Sequence, residues 1–361
     1  MSKTGPHVIE QTGQAMFWVA RASTVKQVNG SSALISAPAG ALTQYRYYVA
    51  IEDLSRNGAD VAAEALVQAG SADVVLLYDE TAQTGETLRR HTQFLKEAAP
   101  VIHAAGKLLA GYGFSTSFPR LEDVAYLVAE NWGGIDILVM NEYWGLKDVP
   151  MAQRFTPWNA LHHRQVHEAS VGHHPPVWIG ECGRDLVRDG LPWENEGLVG
   201  AGYQVDGVSE DQMVEEYLYF EGLIQEDSYV VAASAFTEGP TQDWREKGFD
   251  CDPIAERLAL ALPFTAQKLY LAPLLATWVA AQAGAGSQGG ISGQPTPEEE
   301  SESNPGGDMP IDKELAQRAI DIAWGNMEKL KAGRVTKKRR LELANDTEAH
   351  LVTLKGELEK A

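Results

Sequence analysis

Residues Pro175–Asp185 read PPVWIGECGRD. Val177, Trp178 and Ile179 form a short apolar run behind two prolines, which predicts a buried strand with a sharp start. The carboxylate of Glu181 stands where that run ends, followed by Cys182, Gly183 and the charged pair Arg184 and Asp185. An acid at the C-terminal mouth of a buried strand packs poorly and is well placed for chemistry. The rest of the chain is therefore read as a scaffold that brings a second acid to face it.

Working outward, further strand candidates begin near His7, Thr24, Ala41, Ala72, Lys107, Ile135 and Tyr229. Ala72–Tyr78 (ADVVLLY) reads as a continuous buried-strand run, Ile135–Met140 (IDILVM) as another buried strand and Tyr229–Phe236 (YVVAASAF) as a further strand. Segments of helical composition or spacing lie between them. Phe94, Leu95, Ala98, Val101 and Ile102 share one helical face, Leu121–Trp132 is a helix stopped by Gly133, and Asp211–Ile224 is another. Strands alternating with helices imply a parallel sheet, and eight such units imply a closed (β/α)8 TIM barrel. An open doubly wound sheet usually carries a Gly-rich phosphate turn after its first strand, and His7–Gly13 has none.

The expected domain plan is a barrel over residues 1–283, a linker over 284–310 and a helical hairpin over 311–361. The linker is read from its Gly, Ser, Pro, Gln and Glu composition, which is too polar to bury and too rich in breakers to fold. Leu315, Ala319, Ala323, Met327 and Leu330 form one apolar stripe beyond it, and Leu343, Thr347, Leu351, Leu354 and Leu358 a second. Two such helices make a hairpin too small to stand alone, so it is expected to dock on the barrel or to self-associate.

The formal charge of −20 argues against a nucleic-acid partner for the whole chain, because a phosphate backbone demands a basic surface. Residues 311–361 hold 11 Lys or Arg against 9 Asp or Glu, so the acidity belongs to the main domain. No stretch reaches the length of a membrane span, and MSKTGPHVIEQTG lacks the apolar core of a secretion signal. The expected location is cytoplasmic, or released or virion-associated without a signal. Two cysteines are too few for a disulfide framework.

Asp79 and Glu80, Glu142, Glu181 and Glu238 all fall at predicted C-terminal strand ends, where an α/β barrel places its chemistry. From about Pro6 to Asp250 the chain resembles a clan A glycoside hydrolase. In that clan the fourth strand ends in Asn-Glu, whose Glu is the acid/base, and the seventh ends in a nucleophilic Glu. The resemblance thus implies Glu80 as acid/base, after the fourth strand Ala72–Tyr78, and Glu181 as nucleophile. It implies retaining hydrolysis of a glycan, with no cofactor or metal, by carboxyl groups about 5–5.5 Å apart.

Further echoes are Glu142-Tyr143-Trp144-Gly145 after the sixth strand and Phe236-Thr237-Glu238-Gly239 followed by Trp244. Glu142, Tyr143, Trp144, Glu238 and Trp244 are accordingly substrate-contact candidates, Trp144 being the favoured platform for a sugar ring and Trp178 being assigned to the core. Arg46 either pairs with the catalytic acids, binds substrate or forms a salt bridge inside the barrel. The departure from the clan is Asp79, which stands where its members have Asn. An ionised Asp cannot donate to a sugar hydroxyl, so the alternative is an inactive barrel that binds carbohydrate or serves as a structural or virion component. Taking Asn141-Glu142 as the Asn-Glu motif is a competing assignment that requires two earlier strands to be spurious. His162, His163, His167, His173 and His174 are read as a polar surface helix and its flank, since they lack a metalloprotease spacing.

Overall fold

The computed structural model describes residues 2–28, 34, 36–77, 84–145, 150–155, 160–185, 202–205 and 207–286. Eight strands, β1 (Thr4–Val8), β2 (Thr24–Val28), β3 (Leu42–Tyr47), β4 (Val74–Leu77), β5 (Leu108–Phe114), β6 (Ile137–Trp144), β7 (Val177–Arg184) and β8 (Val230–Glu238), close into a barrel in sequence order. Every pairing is parallel, including the β8 to β1 seam that completes the ring. The expected eight-stranded (β/α)8 barrel is the fold observed.

Helices α1 (Gly13–Val19), α2 (Gly58–Ala69), α3 (Gly85–Ala104), α4 (Leu121–Ala129), α5 (Met151–Arg154), α6 (His162–Ala169), α7 (Glu210–Gln225), α8 (Gln242–Glu246), α9 (Asp252–Ala261) and α10 (Lys268–Gly286) follow in chain order. Three of them begin with a side-chain cap. The Thr12 hydroxyl accepts from the Ala15 N–H at 3.0 Å, Asn57 Oδ1 from Ala59 at 2.8 Å and the Ser209 hydroxyl from Gln212 at 3.2 Å. Pro100 lies inside α3 near its C-terminal end without dividing it.

Carboxylates stitch the N-terminal end of the barrel. Asp73 takes the Thr43 N–H and hydroxyl at 2.9 and 2.6 Å, and Asp136 takes the Leu109 N–H at 2.8 Å. Glu221 on α7 takes the N–H groups of Lys3 and Thr4 at 2.7 and 2.8 Å, holding the helix layer to the start of β1. These acids are spent on backbone donors, so this end serves stability, as is usual in such barrels.

Inside the ring, successive residues point alternately to core and helix layer. On β3 the Tyr45 hydroxyl reaches outward to Gln68 of α2 at 2.9 Å, while its neighbour Arg46 turns inward. Trp178 is fully buried and bonds the Ser234 hydroxyl at 2.9 Å, filling the interior as the sequence assigns it. Both cysteines are buried free thiols.

The chain divides into two units, Met1–Tyr270 and Leu271–Ala361, and the barrel is the first. Of the second, residues 271–286 continue α10, where the Thr277 hydroxyl bonds the Pro273 carbonyl at 3.0 Å. The expected helical hairpin, and the linker beyond Gly286, fall outside the described residues.

Candidate active site

The local sequence Ile179-Gly180-Glu181 decides where the candidate nucleophile points. Met140 lies opposite Ile179 and Asn141 opposite Glu181, so Gly180 is an extra residue in β7. Against β8 the same surplus appears, with Ile179 to Cys182 spanning only Ala233 to Ala235. A β-bulge of this kind bends the strand and re-aims a side chain. A Cβ on Gly180 would lie 2.5 Å from Val139 Cγ1, 2.9 Å from Asn141 Oδ1 and 3.6 Å from Lys26 Nζ, so its empty side faces the barrel interior. Glu181, the next residue, faces the interior as well. Without the extra residue strict alternation would send its carboxylate into the helix layer.

There the carboxylate meets donors from three other strands. Arg46 Nη1 (β3) donates to Oε1 at 3.0 Å and the Tyr143 hydroxyl (β6) to Oε2 at 2.7 Å. Lys26 Nζ (β2) stands 3.5 Å from Oε1, too far for a good hydrogen bond but well inside ion-pair range, and gives its own hydrogen bond to the Gly180 carbonyl at 2.9 Å. His7 Nδ1 (β1) is 3.7 Å from Oε1. Burial, reinforced by the positive charges of Lys26 and Arg46, pushes the His7 imidazole well below its ordinary pKa, so it is neutral and adds no charge. Glu181 is 5% exposed, an enclosed but reachable position, and among the described residues Lys26 and Arg46 are the cations paired with it.

Aromatic rings wall this position. Tyr143 meets Phe236 edge-on at 6.1 Å and Phe249 at 6.3 Å, and Phe236 meets Trp244 edge-on at 5.1 Å. Trp244 is half-buried, with Lys247 Nζ 4.7 Å from its ring centroid.

Several sequence candidates sit elsewhere. Glu142 is fully buried on the outer face of β6, where the backbone N–H and Nδ1 of His163 each approach its Oε1 at 2.8 Å. Its neighbour Trp144, favoured as a sugar platform, is also fully buried. Its Nε1 donates to Glu216 at 2.7 Å and its ring packs on Tyr217 and Phe220 at 5.3 and 5.1 Å. The reason is again the period of two, since Tyr143 takes the interior and leaves Glu142 and Trp144 to the helices. Glu238 is buried beside Asp252 and Asp250 at the start of α9, and burial with those charges pushes its carboxyl well above the ordinary range. It is part of the packing. Asp79 and Glu80 lie outside the described residues.

Three of the five histidines are not on the surface. His162, His163 and His174 are buried, and His163 Nε2 reaches Asp227 Oδ2 at 2.9 Å while its Nδ1 holds Glu142. Among the described residues no group of three or more His, Cys, Asp or Glu is arranged to hold a metal. Sequence reasoning passed over Lys26 and His7. The signal was present, because a Lys in the middle of TVKQV and a His in PHVI are polar residues inside strands of a buried ring.

No family model and no curated protein matches the sequence. Among solved structures, a curdlan-specific exo-β-1,3-glucanase from Blastomyces gilchristii aligns at 12% identity and a TM-score of 0.42, over 68% of this chain and 96% of that one. The β-glucuronidase of Ruminococcus gnavus aligns at 12% identity and a TM-score of 0.43, over 76% of this chain and 50% of its own. That of Lactobacillus rhamnosus aligns at 12% and 0.45, over 73% and 50%. The chain thus spans about half the length of each glucuronidase.

Proposed function

We propose that this chain is a retaining O-glycoside hydrolase acting on a polysaccharide such as a cell-wall or surface glycan, with Glu181 as nucleophile and Glu80 as acid/base. The observation that carries the reading is the setting of Glu181. It is a carboxylate at the C-terminal mouth of a barrel strand, turned inward by a bulge and held by Arg46 and Tyr143, with Lys26 behind it. Such an arrangement costs a barrel core one fully buried cation and one part-buried cation, and it pre-orients an anion for attack on an electrophilic carbon.

In the proposed reaction a Glu181 oxygen forms a bond to the anomeric carbon as the glycosidic C–O bond breaks, and the Glu80 carboxyl gives its proton to the departing oxygen. Water then attacks the same carbon, passing a proton to Glu80 and releasing the Glu181 carboxylate. Arg46 and Tyr143 hold the carboxylate in place during attack and receive it again on release. Trp244 and Phe236 offer apolar faces to the pyranose ring. No nucleic acid, membrane or cofactor enters this scheme, and no helix among the described residues is long and apolar enough to cross a membrane.

The test is turnover of a panel of polysaccharides by the parent and by Glu181→Gln. The expected loss is about 10³-fold or more, as for removal of other covalent nucleophiles. Equal turnover by the two proteins sinks the assignment. Binding of a glycan by the parent with no turnover on any member of the panel selects the second reading, an inactive carbohydrate-binding barrel, which Asp79 in place of Asn favours.

A further inference from the structure

The hydrolase reading gives Arg46 and Tyr143 the work of holding Glu181 and places the fully buried ammonium of Lys26 only behind it. A lysine in a barrel interior is an expensive thing to fold, because its charge loses water and needs partners to replace it. Its position is specific. Nζ donates to the carbonyl of Gly180, the residue inserted into β7, at 2.9 Å. The same atom lies 3.5 Å from Glu181 Oε1. Lys26 also pairs in register with His7 on one side and Gln44 on the other, so it stands at the centre of a polar layer across β1, β2 and β3.

We infer that Lys26 is the positioning residue of this site: its ammonium locks the Gly180 bulge that turns Glu181 inward, and it supplies a fixed positive charge behind the carboxylate. Two features make the geometry more than an incidental salt bridge. The hydrogen bond is made to the backbone of the bulge and not to the carboxylate, so it fixes the direction of the Glu181 Cα–Cβ bond. Gly180 is also the residue that admits no side chain, since a Cβ there would stand 2.5 Å from Val139 Cγ1 and 2.9 Å from Asn141 Oδ1, while meeting Nζ at an ordinary 3.6 Å. Lys26, Gly180 and Glu181 therefore form one device spread over β2 and β7. The inference deepens the hydrolase reading, on which the catalytic consequence rests, while the geometric claim stands without it.

The described titratable groups facing this device are His7 from β1, Arg46 from β3, Tyr143 from β6 and Glu181 itself. Of these His7 is neutral, so among the described residues Lys26 and Arg46 are the cations paired with Glu181. Removing one should make the carboxylate easier to protonate by about 1–3 pH units, the usual effect of an opposite charge at this range.

The experiment follows the Glu181 carboxyl resonance by carbon-13 NMR in full-length protein, assigned by its loss in Glu181→Gln. Titrations of the parent, Lys26→Met and Lys26→Gln are compared. Both variants are expected to move the Glu181 midpoint upward. In Lys26→Gln, which keeps a donor for Gly180, kcat on the parent's substrate falls less than in Lys26→Met, and the acidic limb of the rate profile moves with the resonance. An unmoved midpoint in either folded variant overturns the inference. Should both variants fail to fold, the reciprocal measurement uses Glu181→Gln, in which the Lys26 ammonium nitrogen must titrate at lower pH than in the parent. An unchanged Lys26 titration there overturns it equally. Failure of the hydrolase reading shows up separately, as unaltered turnover by Glu181→Gln, and leaves the NMR result interpretable.

Discussion

At the scale of single residues the site turns on Gly180. Its role can be tested with one methyl group. Gly180→Ala places a Cβ 2.5 Å from Val139 Cγ1 and 2.9 Å from Asn141 Oδ1, closer than packing tolerates. We expect a loss of about 1–3 kcal/mol in unfolding free energy, the usual cost of overpacking a core. Under the proposed hydrolase function, in which the bulge aims Glu181, turnover should fall by more than that loss accounts for, which denaturant titration and kcat on the same preparation will separate. An active enzyme with merely lowered stability would show that the bulge is dispensable. Glu181 was legible in the sequence because an apolar run ends in an acid. Glu142 carried the same signature after IDILVM, yet it faces the helix layer. Strand ends announce that an acid is near the mouth, but the side it faces depends on a register that one inserted residue reverses.

Between elements, the contact of β6 with α6 shows charge used as mortar. His163 sits between Glu142, 21 residues before it, and Asp227, 64 residues after it. Burial opposes its protonation, but the two carboxylates outweigh burial and raise its pKa to about 9. A histidine raised in the folded state stabilises fully below its unfolded pKa of about 6.5 and loses that contribution as pH rises toward 9. Thermal unfolding between pH 6 and 10 should therefore show the advantage of the parent over His163→Gln shrinking with rising pH, by at most about 3 kcal/mol. A gap that stays constant over that range would mean the ring is neutral. The sequence reading placed these histidines on a polar surface. Nothing local distinguishes a solvated histidine from a buried one when the partners that make burial tolerable come from other helices and strands.

For the molecule as a whole, acid is the weak side. His7, His91 and His174 are all buried, and burial is the first cause that lowers each, to about 3 for His91 and about 4 for His174. Groups depressed in this way stabilise the fold above pH 6.5 and lose that contribution as pH falls toward their folded values, because the unfolded chain takes up protons first. The melting temperature should therefore drop as pH is lowered from about 6.5 to 4, and His174→Gln should show a shallower slope. An identical slope in that variant would exclude His174 from the effect.

The sequence by itself determined the architecture. Eight strand candidates alternating with helical segments imply a closed parallel ring, and that ring is observed. It also determined that acids gather at the strand ends, since residue types survive any fold. Only the tertiary structure decided which of them share the interior. It set Glu181 against Arg46, Tyr143 and Lys26, and gave Glu142, Trp144 and Glu238 to the packing between layers. The reason is physical: hydrophobic periodicity is a property of neighbouring residues, whereas the meeting of β2, β3, β6 and β7 at one carboxylate depends on ring closure and on a single extra residue in a ladder.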